Sequence, residues 1–284
     1  MKRILALSLM LAVFLTACGT AAPASVPPTQ APAAAPTSAP APPSAPSHRA
    51  LTVFAAASLT GAFGDIGKAF EAANPGVTMK FNFAGSQTLQ TQIQQGAPAD
   101  VIATASGTNM DGLVTAGFVD KAASQVFLTN ILLVILPPSN PANVKSLGDL
   151  TRPGLKVVLA DSTVPAGKYA RQILNNMSKD PTYGTDFSKK VLANVVSNET
   201  DVKQVVAKVE LGEADAGIVY VSDSVAAPNL KTIEIPANLN VIAKYPIAPL
   251  NKSANTDLAA KFVAYVLSAE GQAILHKWGF SPVT

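Results

Sequence analysis

The sequence predicts an α/β fold whose sheets are mostly parallel. Three features indicate this class. Short runs of β-forming residues alternate with stretches of helical spacing from residue 51 to residue 278. A continuous apolar run at 131–136, closed by two prolines, is typical of a buried strand. The most prominent turns share one form, in which a strand leads through small residues into the start of a helix.

Each element follows from its own pattern. Residues 51–55 are rich in β-formers and predict a strand. Apolar residues recur at helical spacing in 59–73, and Asn74-Pro75-Gly76 ends that helix. Alternating apolar residues predict a strand at 77–83. The remaining predicted elements, in chain order, are a helix at 88–95, strands at 101–105, 131–136 and 155–160, helices at 166–177 and 202–211, a strand at 216–221, and helices at 258–267 and 269–278.

The first 49 residues precede the folded part. A basic start and a short apolar run predict a signal peptide over residues 1–17. Leu15-Thr16-Ala17-Cys18 resembles a bacterial lipobox, so Cys18 is expected to carry lipid and anchor the protein to the membrane. An ordinary export signal with an incidental cysteine is the alternative. Nine of the 22 prolines lie between residues 19 and 48, so residues 18–49 are predicted to form an extended tether.

The charge of the mature chain is nearly balanced. Removing Lys2 and Arg3 with the signal peptide leaves 19 basic residues against 18 acidic ones. This balance argues against nucleic acid or an anionic membrane surface as the partner. The folded part, residues 49–284, is long enough for one large lobe or two modest ones.

Residue types that catalysis would need are missing from the middle of the chain. The two histidines are His48, in the tether, and His276, near the C-terminus, so a Ser-His-Asp arrangement lacks its base. Cysteine and histidine do not cluster at metal-ligand spacing. Gly61-x-x-Gly64-x-x-Gly67 lies inside a predicted helix and is not the dinucleotide pattern. We therefore expect a protein that is not an enzyme and needs no cofactor.

Hydrogen-bond donors are found at the starts of predicted helices. Ser58 and Ser86 each follow a strand, Ala166 follows a first-turn proline, Val202 begins a helix, and Tyr220 ends a strand. Helix N-termini present unpaired N–H groups and the positive end of the helix dipole, which suits an anion. Each residue also has a purely structural interpretation. Both serines are equally consistent with plain N-caps, Val202 with a core position, and Tyr220 with a buried aromatic.

Five short motifs follow one another along the folded part. They are Phe54-Ala55-Ala56-Ala57-Ser58-Leu59-Thr60, Phe83-Ala84-Gly85-Ser86, Gly96-Ala97-Pro98-Ala99-Asp100, Val164-Pro165-Ala166-Gly167-Lys168-Tyr169-Ala170 and Gly217-Ile218-Val219-Tyr220-Val221-Ser222-Asp223. Together they resemble the molybdate-binding proteins of bacterial molybdate ABC transporters, over essentially all of residues 50–284. Where relatives often have a serine-rich FASSS, this chain keeps a single serine, Ser86, at the matching place.

The resemblance implies a site that holds an oxyanion through neutral donors. These are the side chains of Ser58 and Ser86, the backbone N–H groups of Ala166 and Val202, and the hydroxyl of Tyr220. Molybdate is a fully deprotonated dianion that needs donors and no acceptor. It would be bound through its oxygens by these residues, so no side chain would ligate the metal directly. The alanines before Ser58 would let the backbone approach the anion closely.

The resemblance also implies a two-lobe, type II periplasmic-binding-protein-like fold with the ligand in the cleft between the lobes. Each lobe would be a mostly parallel sheet flanked by helices, with residues 50–129 and 247–284 in lobe 1 and residues 130–246 in lobe 2. The protein would capture molybdate, and tungstate as well, and deliver it as a monomer to the permease of an ABC importer. Its place would be the periplasm or the outer face of the membrane. A carrier of another tetrahedral oxyanion such as sulfate is the alternative, and a serine hydrolase acting through Ser58 is a remote one.

Overall fold

The structure is a computed structural model that describes residues 49–283. The predicted signal peptide, Cys18 and the tether before Arg49 lie outside the described residues. The strands are β1 Arg49–Ala56, β2 Val77–Ala84, β3 Val101–Ala103, β4 Gln125–Asn130, β5 Leu132–Leu136, β6 Val157–Ala160, β7 Val195–Glu199, β8 Ala216–Tyr220, β9 Lys231–Glu234 and β10 Ala243–Pro249. The α-helices are α1 Thr60–Ala73, α2 Ser86–Gln94, α3 Gly107–Thr115, α4 Pro165–Lys179, α5 Phe187–Ala193, α6 Val202–Glu210, α7 Val221–Ala226, α8 Thr256–Leu267 and α9 Ala269–Lys277.

The strands form two five-stranded sheets. The first sheet has the order β2-β1-β3-β10-β4, and the second has the order β7-β6-β8-β5-β9. In the first sheet β1 runs parallel to β2 and β3, and in the second β6 runs parallel to β7 and β8. Parallel neighbours need a crossover connection, and helices supply it here. The predicted α/β architecture is confirmed by this arrangement.

Each sheet is mixed, because one inner strand runs against its neighbours. In the first sheet this strand is β10, which is antiparallel to β3 and β4. In the second it is β5, which is antiparallel to β8 and β9. Both strands enter their sheet directly after the chain leaves the other one, so no crossover helix sets their direction. The expectation of mostly parallel pairing therefore holds for the β-α-β units and not for β5 and β10.

The chain passes between the sheets twice. It leaves the first sheet after Asn130 and enters the second at Leu132, and it returns between Glu234 and Ala243. The lobe boundaries near Asn130 and Pro246 stay a prediction. β10 begins at Ala243, a few residues before residue 247, where the second segment of lobe 1 is predicted to begin. The sequence does not predict this strand because the strand contains Pro246, and proline is rare inside sheets except at edges and bulges.

The elements that the sequence did not predict are mostly short or exposed. β4, β7 and β9 each lie at the edge of a sheet, and β7 alternates half-buried with exposed residues. Edge strands bury little apolar surface, so their sequence signal is weak. By contrast, the helix stop at Asn74-Pro75-Gly76 is confirmed: α1 ends at Ala73, and Gly76 has a φ of +89°, which glycine adopts without strain.

The core of the first sheet is aromatic. Phe63 of α1 and Phe262 of α8 meet edge-on with ring centroids 6.0 Å apart, and Phe70 meets Phe262 at 5.2 Å. All three are fully buried. Such pairs contribute about 0.5–1.5 kcal/mol beyond the burial of their area, and they hold α1 in place behind the site described below.

None of the helices between residues 49 and 283 is by itself long and apolar enough to cross a membrane. Taken together, α8 and α9 would be long and apolar enough, but the pair is bent by 61°.

Candidate functional site

A small cavity lies between the two sheets, where the strands end and the next helices begin. The space available in it to the centre of a water-sized sphere is about 10 Å³. The residues that line it follow β1, β2 and β3 of the first sheet and β6 and β7 of the second, or end β8. All five predicted ligand residues are among them, namely Ser58, Ser86, Ala166, Val202 and Tyr220. The fold thus brings the predicted set together; that these residues bind a ligand stays a prediction.

Ser58 is not a helix cap. It lies in the 3-10 helix Ala57–Leu59, and α1 has Leu59 at its N-cap position with no side-chain cap. The Ser58 Oγ atom is instead 2.9 Å from the hydroxyl oxygen of Tyr245. The interpretation of Ser58 as a plain N-cap is therefore wrong. Its hydroxyl forms a hydrogen bond with Tyr245 and does not cap a helix.

Ser86 is not a cap either. It is the first residue of α2, and Gly85 takes the N-cap position without a side-chain hydrogen bond. The Ser86 Oγ atom accepts a hydrogen bond from the Ala105 N–H at 3.0 Å. A hydroxyl that accepts through a lone pair still has its own hydrogen to donate. Ser86 is almost completely buried and lines the cavity, so this hydrogen is available to a group inside the cavity.

The start of α4 presents backbone N–H groups to the cavity. Pro165 is the first residue of the helix, Ala166 the second, and no side chain caps this end. The first N–H groups of an α-helix have no partner within the helix. Gly167 lets the helix start lie directly against the end of β6, because a Cβ atom there would collide with the carbonyl oxygens of Ala160 and Asp161.

The start of α6 carries the predicted contact of Val202. Asp201 caps this helix, and its Oδ1 atom accepts from the N–H groups of Lys203 at 2.8 Å and Gln204 at 3.2 Å. Its Oδ2 atom accepts from the Gln204 side chain at 2.9 Å. The cap uses the second and third N–H groups of the helix and leaves that of Val202 to the cavity. Asp201 also lines the cavity, and both of its carboxylate oxygens accept hydrogen bonds from α6.

Among the described residues that line the cavity, Tyr220 has the one polar side-chain atom without a hydrogen-bond partner. Tyr220 is 1 % exposed, and its hydroxyl makes no hydrogen bond to any described residue. Burial, together with the nearby Tyr245 ring, raises the pKa of this phenol well above its usual value. The hydroxyl therefore stays protonated and remains a donor. An unsatisfied buried hydroxyl costs about 1–3 kcal/mol, which a bound acceptor would relieve.

A buried carboxylate fixes the position of Tyr220 relative to α6. Asp223 Oδ2 accepts from the Tyr220 N–H at 3.2 Å, and Asp223 Oδ1 lies 3.0 Å from the Lys203 ammonium nitrogen. Burial raises the pKa of Asp223, and the positive charge of Lys203 opposes that shift. Because Lys203 follows Val202 directly, this ion pair holds the start of α6 beside the end of β8.

Hydrogen bonds near the cavity join its two sides. The Gln87 side chain in α2 donates to the Thr200 carbonyl oxygen at 2.9 Å, and the Tyr169 hydroxyl in α4 donates to the Ala105 carbonyl oxygen at 3.4 Å. Gln87 and Ala105 follow strands of the first sheet, whereas Thr200 and Tyr169 follow strands of the second. The cavity is therefore closed by contacts between the two halves of the molecule.

The sequence analysis did not find Tyr245, and it gave Ala105 no role. Ala105 lines the cavity and Tyr245 bonds to Ser58. Neither residue belongs to a motif that marks a helix start, so no local signal distinguishes it. Across residues 49–283, no three His, Cys, Asp or Glu side chains group in a way that could hold a metal ion. The cavity presents donors for an anion.

The sequence profile of one protein family, described as "Bacterial extracellular solute-binding protein", matches residues 51–281 of this chain. The chain belongs to this family.

Relatives of this solute-binding protein agree with that assignment. It is 42% identical over 234 residues to the molybdate-binding protein ModA of Mycobacterium tuberculosis, and the match covers 82% of this chain and 85% of the relative. The solved periplasmic molybdate-binding protein of Azotobacter vinelandii superposes with a TM-score of 0.72 at 19% identity, covering 82% of this chain and 100% of that one. The sulfate-binding protein SubI of Mycobacterium tuberculosis superposes with a TM-score of 0.74 at 20% identity, covering 83% and 88%.

Family membership decides two further predictions. The predicted periplasmic-binding-protein-like fold is confirmed, because the solved structures at these TM-scores share it. The prediction that the protein is not an enzyme is confirmed as well, since this family consists of binding proteins. The protein works outside the cytoplasm, as extracellular solute-binding proteins do.

Proposed function

We propose that this solute-binding protein captures molybdate, and tungstate through the same contacts, and delivers it to the permease of an ABC importer. The observation that carries the proposal is the Tyr220 hydroxyl. It is buried, has no partner among the described residues, and belongs to a residue that lines a closed cavity. A ligand that accepts its hydrogen would remove the cost of burying it.

The chemistry of the cavity supports a fully deprotonated anion. Three hydroxyls and two helix N-termini converge there, from Ser58, Ser86 and Tyr220 and from Ala166 and Val202. Hydrogen bonds to a charged group contribute about 1.5–3 kcal/mol each. Five of them supply on the order of 8–15 kcal/mol, which exceeds the several kcal/mol that association costs. The donors are neutral, so the anion would be held by dipoles rather than by a countercharge.

The relatives support molybdate in particular. The relative at 42% identity is named as a molybdate-binding protein, whereas the sulfate-binding structure at 20% identity supports the shared fold alone. A sulfate carrier is the second candidate because of that shared fold. Sulfate would need a smaller site, since S–O bonds are shorter than Mo–O bonds.

Anion selectivity tests the proposal directly. Molybdate and tungstate are expected to raise the melting temperature of the Arg49–Thr284 fragment and to give saturable heats in calorimetric titration, because ligand binding to the folded state stabilises it. Hydrogen phosphate is expected to do neither. Its proton needs an acceptor, whereas the five predicted contacts all donate. A larger shift with phosphate, or with sulfate, than with molybdate would contradict the proposal.

The lipid anchor at Cys18 is part of the proposal and has a test of its own. Cys18→Ala removes the one thiol of the chain, so lipid attachment at the lipobox cannot occur. The variant is expected to leave the membrane fraction or to accumulate as unprocessed precursor. Fractionation followed by immunoblotting measures this, with the wild type as the control. A variant that stays in the membrane fraction with the mobility of the wild type would show that Cys18 is not the anchor.

A further inference from the structure

Tyr245 lies directly behind the site without lining it. Its ring is fully buried, and its hydroxyl oxygen is 2.9 Å from Ser58 Oγ. Ser58 lines the cavity, whereas Tyr245 is not among the lining residues. On the proposed function Tyr245 would therefore act on the anion through residues that line the cavity, and its hydrogen bond makes Ser58 the first of these.

The hydrogen bond between the two hydroxyls has a direction once an anion is bound. Serine has one hydrogen to donate and two lone pairs that accept. An oxyanion accepts only, so Ser58 must give it that one hydrogen. The hydrogen of the Tyr245–Ser58 bond must then come from Tyr245. Burial raises the pKa of Tyr245, so its hydroxyl keeps this hydrogen at neutral pH.

The fold places the Tyr245 hydroxyl where it can donate to Ser58. The pairing of β10 with β4 shifts register between Tyr245 and Pro246, and bulges of this kind re-aim a side chain. The Tyr245 ring meets Tyr220 edge-on at 5.8 Å and Phe280 edge-on at 5.7 Å. Tyr245 therefore sits between two aromatic neighbours on a strand of the first sheet, and one of them is itself a predicted ligand residue from the second sheet.

We infer that Tyr245 is a positioning residue for the anion site: it donates to Ser58, and so turns the Ser58 hydroxyl to donate into the cavity. This inference rests on the proposed function. Two hydrogen bonds in a row also polarise one another, so Ser58 becomes a better donor than an isolated serine. Without Tyr245 the Ser58 hydroxyl is free to rotate and to offer a lone pair to the cavity, where a deprotonated anion would be repelled.

A double-mutant cycle tests the inference. Tyr245→Phe keeps the ring and its packing and removes the hydroxyl, and we expect it to weaken molybdate binding about threefold to tenfold, as the loss of one hydrogen bond does. In a Ser58→Ala background the same change is expected to alter affinity less than twofold, because the hydroxyl that Tyr245 orients is gone. Calorimetric titration of the four forms measures both values.

A matched variant separates positioning from packing. Tyr265→Phe also removes a tyrosine hydroxyl that is shielded from solvent, but on α8, and it is expected to leave molybdate affinity unchanged. Equal losses from Tyr245→Phe in both backgrounds, or no loss in either, would overturn the inference. The wild-type titration tests the proposed function separately. If the wild type bound sulfate and not molybdate, the proposed function would fail and the same cycle with sulfate would still decide the role of Tyr245.

Discussion

Replacing Ser58 with alanine is expected to weaken molybdate binding about tenfold to more than a hundredfold. The change removes one donor to a charged ligand inside a closed cavity, which is worth about 1.5–3 kcal/mol. It also leaves the buried Tyr245 hydroxyl without the partner that it has 2.9 Å away, so the free energy of unfolding should fall as well. Calorimetric titration of the folded variant with molybdate measures the affinity, and chemical denaturation without ligand measures the stability.

Ser106→Ala is the matched control for this loss. Ser106 also follows a strand of the first sheet and is buried, but it caps α3, where its Oγ atom accepts from the Asn109 N–H. Losing a cap costs about 1 kcal/mol of stability, and the molybdate affinity should stay within twofold of the wild type. If both variants bound molybdate like the wild type, Ser58 would not be a ligand and the site would lie elsewhere.

Replacing Gly85 with alanine is expected to weaken molybdate binding by about fivefold to more than a hundredfold through a different route. Gly85 has a φ of −58°, which alanine adopts freely, so the backbone itself is not strained. A Cβ atom there would, however, lie 2.5 Å from the Thr200 carbonyl oxygen on the other side of the cavity, and equally close to the Gln87 side chain that donates to this oxygen. Relieving that clash requires the two halves to separate, and such overpacking costs about 1–3 kcal/mol.

The measurement for this variant is whether the two halves of the molecule close around molybdate. Small-angle scattering should show that wild-type protein with saturating molybdate is more compact than Gly85→Ala under the same conditions. Gly107→Ala is the control, because Gly107 also stands at a helix start of the first sheet and a Cβ atom there would meet nothing within 4 Å. A Gly85→Ala protein that contracts and binds like the wild type would refute the role of this contact.

Much of the site could be predicted because helix starts are local events. The capping and turn chemistry of Ala166 and Val202 depends on residues one or two positions away, and Pro165 and Asp201 stand in the sequence beside them. Periodicity likewise identified the buried strands and amphipathic helices. These patterns depend on residues that are close together in the sequence, so they can be recognised without knowledge of the fold.

The use of each hydroxyl was decided only by the tertiary structure. From its neighbours in the sequence, Ser58 is equally consistent with a cap or a ligand. In the structure it lies inside a 3-10 helix, and its hydroxyl bonds to Tyr245, 187 residues further along the chain. The same holds for Ser86, whose partner Ala105 belongs to another strand end.

Local sequence patterns predict the alternation of strands and helices, the small residues at the strand ends, and the donors at the helix starts. The tertiary structure decided the direction of β5 and β10, the position of Tyr245 behind Ser58, and the contact of Gly85 with Thr200. The physical reason is the range of the interactions involved. Periodicity and capping act over a few residues, whereas strand direction and cavity closure arise only when distant segments pack against one another.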